Sequence, residues 1–448
     1  MPNLLYNKNS LIGRLKNYFY LYFESLPVGT AENLLLFVLS VIVLESVSSV
    51  RFLYTHFLKS ISQKSLNAFY YTCSYAKLDY SKFMNITAKI AISLISDFYA
   101  SEPVFLLIDD TIVPKSGCKF EGVSKLFDHS YHTGSKFLNG HCFVSLSICI
   151  PVLKNGNIHY MSIPLGYKMW QKEKSKMALA ADMISQIMPI LSNINQVILL
   201  FDSWYAKNDM TSLVSKFSNL NIICGARCDS VLYDLPPERT GKRGRPAKHG
   251  KKLSIYDDFT LSDDKIGNYF IGYRQVITNI FSDLTIMAYV TAANKTGSGR
   301  RLFLSTINPA DIHISCARQE KAPLNQTGKE WMCYIPLFLY SFRWNIEVGY
   351  YEQKTFWSLC SYMVRSKRAI ELVVNLINIA YCSMKILPYK DSFFDYHKNE
   401  SVQEFRFSLS KAIKEQIFIT SFISFVESSN KSKDVLELLK ERIFSISA

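Results

Sequence analysis

The chain is 448 residues long and lacks most of the short motifs that announce a chemistry. It has no GxxxxGK phosphate loop and no HExxH, so neither ATP hydrolysis nor zinc proteolysis has support. Its ten cysteines are scattered without a CxxC pair. Cys224 and Cys228 lie close together, but no second Cys/His pair at finger spacing accompanies them. Buried thiols in a reducing cytoplasm are therefore expected, rather than disulfides or zinc. Long apolar runs are also missing. The longest clean one, Leu34 to Leu44, stops at Glu45, short of the roughly 20 residues needed to span a bilayer. A buried core helix and no membrane partner are expected. The opening MPNLLYNKNS has no apolar stretch close behind a basic start, so no signal peptide is expected. No internal repeat is visible.

Acid is scarce: 37 Asp and Glu stand against 51 Lys and Arg, for a net charge of +14. Such a surplus favours an anionic partner, nucleic acid or a membrane surface. Hydrophobic residues make up 48% of the chain, with 30 Phe and 27 Tyr, which excludes a disordered tail protein. The length implies two or three domains.

Residues 1–100 read as helical: Leu34 to Val50 and Lys64 to Ala100 are long, Pro-free and without strand-like alternation. Ser62 to Ala91 fits either a helix-turn-helix or a plain bundle, since its turn has no glycine. The character changes at Pro103. VFLLIDD (Val104 to Asp110) and QVILLFD (Gln196 to Asp202) are short apolar runs ending in acid, the mark of buried strands. His141 to Leu153 and Asn157 to Leu165 flank KNGN, a hairpin signal. Lys176 to Met188 and Lys207 to Asn219 read as helices, and Asn221 to Ala226 as a strand. Three meander strands followed by helix, strand, helix, strand give an α/β mixed sheet with helices on both faces, in the order of the ribonuclease H-like fold. In that order the first and fourth strands are neighbours, so the acids at 109/110 and at 202 meet.

Five stretches follow: helical 1–100, the first part of the ribonuclease H-like domain 101–229, a mostly β insertion 230–327, a helix-bearing part of that domain 328–370, and helical 371–448. The insertion opens on a basic loop with seven Lys or Arg between Arg239 and Lys252, among them Lys242, Arg243, Arg245 and Lys248. Such a loop either enters a narrow, A·T-rich minor groove or stays solvated and touches DNA non-specifically. Lys172, Lys174 and Lys176 form a second basic patch, read as a solvated helix start. His129, His132 and His141 admit a metal cluster, but loop or DNA-contact roles are the commoner use of scattered histidines.

A helix is expected from about Pro336 to Leu359, and it holds the most informative segment, YSFRWNIEVGYYEQK. With Tyr340 at zero, Arg343 falls at about −60°, Glu347 at about −20° and Lys354 at about −40°, one narrow stripe, while Glu352 falls off it at about +120°. One acid, two bases and a phenol on one stripe suit an anion-handling metal site. A chance polar stripe on a solvated helix is the other reading.

The spacing Y-x2-R-x3-E-x6-K, met by Tyr340, Arg343, Glu347 and Lys354, resembles the signature of the Y-R-E-K class of insertion-sequence transposases. R-W-x-I-E followed by aromatics and Lys, IDDT after one apolar strand and FDSWYA after another are also similar to that family. The resemblance covers roughly residues 100 to 370. It implies a cut-and-paste transposase with a metal-bound Asp-Asp-Glu triad of Asp109 or Asp110, Asp202 and Glu347. Two Mg²⁺ ions (Mn²⁺ substituting) about 4 Å apart suit such carboxylates and in-line phosphoryl displacement. Water is the implied first nucleophile and the freed 3′-hydroxyl the second. Arg343 and Lys354, with Tyr340, are expected to grip phosphates of the transposon end. Transposon-end and target DNA are the implied partners, with a homodimer on DNA and a cytoplasmic, nucleoid-associated location. A nuclease of the same fold without strand transfer, and an inactive DNA-binding descendant, are the alternatives. At the first acid, the family pattern Asp-x-Thr points to Asp109 and a direct Asp-Thr reading to Asp110. Strand alternation puts the two on opposite faces, so only one joins the site; Asp109 is favoured.

Overall fold

A computed structural model describes residues 10–428 except 118, 128–135, 239–246, 283, 297–298, 309–310 and 313–327. Its contacts group the chain into two compact units: Met1–Leu78, Thr355–Met384 and Asn399–Ala448 in one, Asp79–Lys354 and Lys385–Lys398 in the other.

The first unit is helical. The helix Val28–Val43 has almost no polar face and is buried along its last ten residues. That explains an apolar run too short for a bilayer. Its C-terminal carbonyls, which no helical N–H can reach, are met by a buried cation. The Arg406 guanidinium is 2% exposed and donates to the carbonyls of Val41 (2.8 Å), Ile42 (3.2 Å) and Leu44 (2.6 Å), and also to that of Phe356. It lies over the Trp357 ring, 4.2 Å from the centroid. Burial pulls the guanidinium down to about 10, which leaves it charged at neutral pH. The helix Lys367–Lys390 is long and apolar enough to cross a membrane by length and composition, but 83% of its most apolar window is buried inside the protein.

The Ser62–Ala91 stretch holds two helices, Leu66–Tyr75 and Tyr80–Ile92, which fall in different units.

Among the described residues, the second unit is built on one sheet of eleven strands: β1 Val104–Pro114, β2 Ser124–Phe127, β3 Phe137–Lys154, β4 Asn157–Met169, β5 Val197–Phe201, β6 Leu220–Ala226, β7 Leu232–Tyr233, β8 Lys252–Leu253, β9 Phe270–Ile277, β10 Thr285–Ala292 and β11 Arg301–Ser305. β4 pairs with β3 and β3 with β1, both antiparallel; β1 pairs with β5 and β5 with β6, both parallel. That is the ribonuclease H-like order the sequence predicts. β3 and β4 are joined at Asn155-Gly156, whose φ values of 52° and 78° suit the tight, left-handed turn that Asn-Gly favours. The strands of the 230–327 stretch extend the sheet, because β11 runs antiparallel to β6 and β10 and β9 follow it.

Val104–Ile108 and all of β5 are fully buried. Burial of each such aliphatic side chain stabilises by about 1.5–3 kcal/mol, so these strands are the rigid centre. Helix Lys176–Ile187 packs against β3. Two expectations need correction. Lys207–Asn219 is not one helix but a turn at Asn208–Thr211 and a 3-10 turn at Ser212–Ser215. There the Thr211 hydroxyl bonds the Lys207 and Ile280 carbonyls, the kind of side-chain bond that competes with a helix. Nor does one helix run from Pro336. Two helices, Gly328–Ser341 with Pro336 inside it and Trp344–Phe356, meet at a tight turn. In that turn Phe342, Arg343, Asn345 and Ile346 each donate to the carbonyl three residues back.

Candidate active site

The hydrogen-bonded ladder between β1 and β5 runs from Val104/Val197 to Leu107/Leu200. Asp109 and Asp202 each lie two residues past its end, Asp202 just beyond β5 and Asp109 inside β1 where that strand goes on paired with β3 alone, on the carboxyl side of the parallel pair, where open α/β sheets place their sites. Up to Ile108 the β1 side chains are buried; at Asp109 and Asp110 they become half-buried.

Alternation sends these two acids to opposite faces. Asp109 is in register with Ser145 of β3 and Asp110 with Val144. The Ser145 hydroxyl is 2.8 Å from the Tyr350 hydroxyl, on helix Trp344–Phe356. One turn further on, the buried Gln353 donates to the Tyr167 hydroxyl at 2.9 Å. The helix is thus docked on the Asp109 face. The guanidinium of Arg343, in the turn before this helix, donates to Asp109 Oδ2 at 3.2 Å and to Glu347 Oε1 at 2.7 Å. The structure so brings together Asp109, Arg343 and Glu347. Asp202 is held just beyond β5, where its Oδ1 accepts from the backbone N–H groups of Trp204 (3.0 Å) and Tyr205 (3.4 Å).

The electrostatics tie Asp202 to the same place. Burial first, and then the charge of Asp202, push the Asp109 carboxyl up to about 7; the Asp110 N–H and Arg343 pull the other way without cancelling them. Burial also raises Asp202. Two half-buried carboxylates that resist ionising together form a place where a cation is favoured.

Asp110 has different company. Its carboxylate accepts from Lys176 Nζ (2.6 Å), the Tyr205 hydroxyl (3.0 Å) and Cys142 Sγ (3.2 Å). Burial, then Asp110, push the Cys142 thiol up to about 12 and the Tyr205 phenol far above its usual range, so both remain protonated donors. Lys176 is therefore not part of a solvated helix start. It is a half-buried ion-pair partner, and its neighbour Lys174 pairs with Asp182.

Tyr340 ends the preceding helix. Its ring stands edge-on to Phe303 at 5.0 Å, and its hydroxyl lies against Gly225 of β6. A methyl group on Gly225 would sit 3.1 Å from that oxygen, so the glycine leaves room for the phenol. Burial pushes this phenol up to about 12. Lys354 is half-buried two turns beyond Glu347, on the same side of the helix. Lys248 is exposed. Lys242, Arg243 and Arg245, with His129 and His132, lie outside the described residues. His141 is fully buried, its Nε2 3.0 Å from the Glu121 carbonyl oxygen. Among the described residues no three His, Cys, Asp or Glu side chains converge on one point; Arg343 stands between Asp109 and Glu347 instead.

Sequence reasoning missed Lys176, Tyr205 and Cys142 as partners of the second acid. The signal for Tyr205 was its place three residues after Asp202 in FDSWYA.

Residues 166–268 match the sequence model of the DDE superfamily endonuclease family. The matched stretch includes Asp202 but neither Asp109 nor Glu347. With the mixed sheet, this supports an enzyme of DDE nuclease or transposase type, a class whose substrate is DNA and whose chemistry uses divalent ions. No curated protein matches the chain.

Proposed function

We propose that the chain is a cut-and-paste transposase of the Y-R-E-K class, in which Asp109, Asp202 and Glu347 are the metal ligands and Asp110 is not. The observation that carries this reading is the Arg343 guanidinium lying between Asp109 and Glu347, with Asp202 raising Asp109 from the neighbouring strand end. Such a set of hard oxygen donors fits Mg²⁺, with Mn²⁺ as substitute. When bound, two such ions activate an attacking oxygen and stabilise the leaving one.

The chain's own residues do the rest. Asp202 is pre-oriented by two backbone N–H groups, so little ordering is left for the moment of binding. The Arg343 fork matches a phosphate as well as it matches two carboxylates, and Lys354 adds a second cation on the same side of the helix. Tyr340 stands beside them with its hydroxyl on Gly225. Together they would hold the transposon-end phosphate over the acids, with water and then the freed 3′-hydroxyl as attacking groups. The basic loop with Lys242, Arg243, Arg245 and Lys248 would add phosphate contacts.

Joining two ends to target DNA requires two sites, so a homodimer on DNA follows. Mixing Glu347→Gln chains with wild type should then poison paired-end joining more than single-end nicking. The direct test supplies a precleaved end bearing a free 3′-hydroxyl together with a plasmid target and Mg²⁺. Joined product supports the transposase. Hydrolysis without joining supports the nuclease alternative, and end binding without either supports an inactive descendant.

A further inference from the structure

We propose that Tyr205 is a positioning residue that sets the spacing of the Asp109 and Asp202 carboxylates by binding both segments beyond the point where the β1/β5 backbone ladder stops. The proposal rests on the reading of Asp109 and Asp202 as ligands and adds to it the group that aligns them.

The ladder gives the need. β1 and β5 are hydrogen-bonded only as far as Leu107 and Leu200, so main-chain pairing does not fix Asp109 relative to Asp202. Tyr205 supplies the connection. Its N–H approaches Asp202 Oδ1 at 3.4 Å, and its hydroxyl donates to Asp110 Oδ1 at 3.0 Å. Asp110 passes the constraint on, because its own N–H donates to Asp109 Oδ1 at 2.8 Å. The chain of bonds thus runs Asp202, Tyr205, Asp110, Asp109 without a gap. Its middle is immobilised: Tyr205 is 1% exposed, and the other oxygen of Asp110 is gripped by Lys176 and Cys142. A residue devoted only to packing would not need a hydroxyl aimed at a carboxylate on the neighbouring strand. Groups that orient metal ligands without touching the metal typically change affinity by about 10–100-fold when removed.

Tyr205→Phe keeps the ring and the N–H and removes only the hydroxyl. The test is Mn²⁺ binding by the full, DNA-free chain, followed by electron paramagnetic resonance, alongside the Mg²⁺ dependence of end cleavage and the affinity for end DNA. The expected result is Mn²⁺ binding weakened about 10-fold or more and a matching rise in the Mg²⁺ needed for half-maximal cleavage, with end-DNA affinity unchanged. Asp110→Asn, which retains an acceptor for the phenol, should be milder than Asp110→Ala. Tyr205→Phe added to Asp110→Ala should cost little more, as expected for two members of one linkage. If Tyr205→Phe binds Mn²⁺ as wild type does while Asp202→Asn does not, the positioning role is overturned and the ligand reading stands. If Asp202→Asn also binds as wild type, the ligand reading fails and the positioning role falls with it. Additive losses in the double variant would also overturn the linkage, and this comparison holds even if each variant is somewhat destabilised.

Discussion

Asp109 and Asp110 are adjacent in sequence and similarly exposed, yet the two faces of β1 give them opposite chemistries. On one face Asp109 shares a single guanidinium with Glu347 and is pushed up by burial and by Asp202. On the other, Asp110 is matched by an ammonium, a phenol and a thiol, all donating. A carboxylate whose lone pairs are already taken is an anchor. A carboxylate under electrostatic pressure from another is a place that favours a cation. What separates the two acids is which helix docks on which face, not residue type.

The largest expected effect on the open face follows from removing a ligand charge. Asp202→Asn and Glu347→Gln should each reduce Mg²⁺-dependent cleavage of end DNA to background while binding of the end persists. Either variant cutting at the wild-type rate would remove that residue from the ligand set.

On the anchored face the effect should fall on stability instead. Lys176→Met leaves Asp110 without its cation in a half-buried setting, which should cost about 2 kcal/mol of unfolding free energy, read by denaturant titration of the metal-free protein. An unchanged midpoint would show that the phenol and thiol alone satisfy Asp110.

The smallest effect is linked to pH. Asp109 stands at about 7 in the folded protein against about 4 for a free aspartate. Between those values the folded state keeps a proton that the unfolded chain has released, so stability from this group falls as pH rises from about 4 to about 7 and stays low above that. Metal-free Asp109→Asn, neutral at every pH, should therefore be more stable than wild type at pH 8 by about 1–2 kcal/mol, with the gap closing toward pH 4. A difference that does not vary with pH would contradict the electrostatic description of that face. The same proton competes with a cation, so the Mg²⁺ requirement of the wild type should climb below about pH 7.

Much of this arrangement was legible in the sequence because strong local signals coincided with the fold. VFLLIDD and QVILLFD are buried runs that end in acids: β1 becomes half-buried at Asp109 and Asp110, and β5 ends at Phe201, just before Asp202. KNGN is a hairpin because Asn155 and Gly156 accept positive φ. The break at Phe342 and Arg343 was not legible, since neither Gly nor Pro marks it and aromatic residues run through it. The consequence is physical: Tyr340 and Glu347 sit on different helices, so the stripe drawn at 100° per residue does not describe how they meet. Arg343 reaches both acids from the turn between the helices. Alternation was enough to put Asp109 and Asp110 on opposite faces of β1. That helix Trp344–Phe356 docks on the Asp109 face shows only in the Ser145–Tyr350 contact, a tertiary bond between residues far apart in the chain. Lys176 looked like a solvated cation because nothing local in the sequence shows that the start of its helix sits over Asp110.

The central claim is that the two faces of β1 divide the labour between a ligand and an anchor, and a paired measurement tests it directly: Mg²⁺-dependent cleavage of a transposon end by Asp109→Asn and Asp110→Asn, assayed side by side with end binding as the control. The account predicts no cleavage by Asp109→Asn and retained cleavage by Asp110→Asn, at a higher Mg²⁺ requirement. Retained cleavage by Asp109→Asn, or its loss in Asp110→Asn alone, would contradict it.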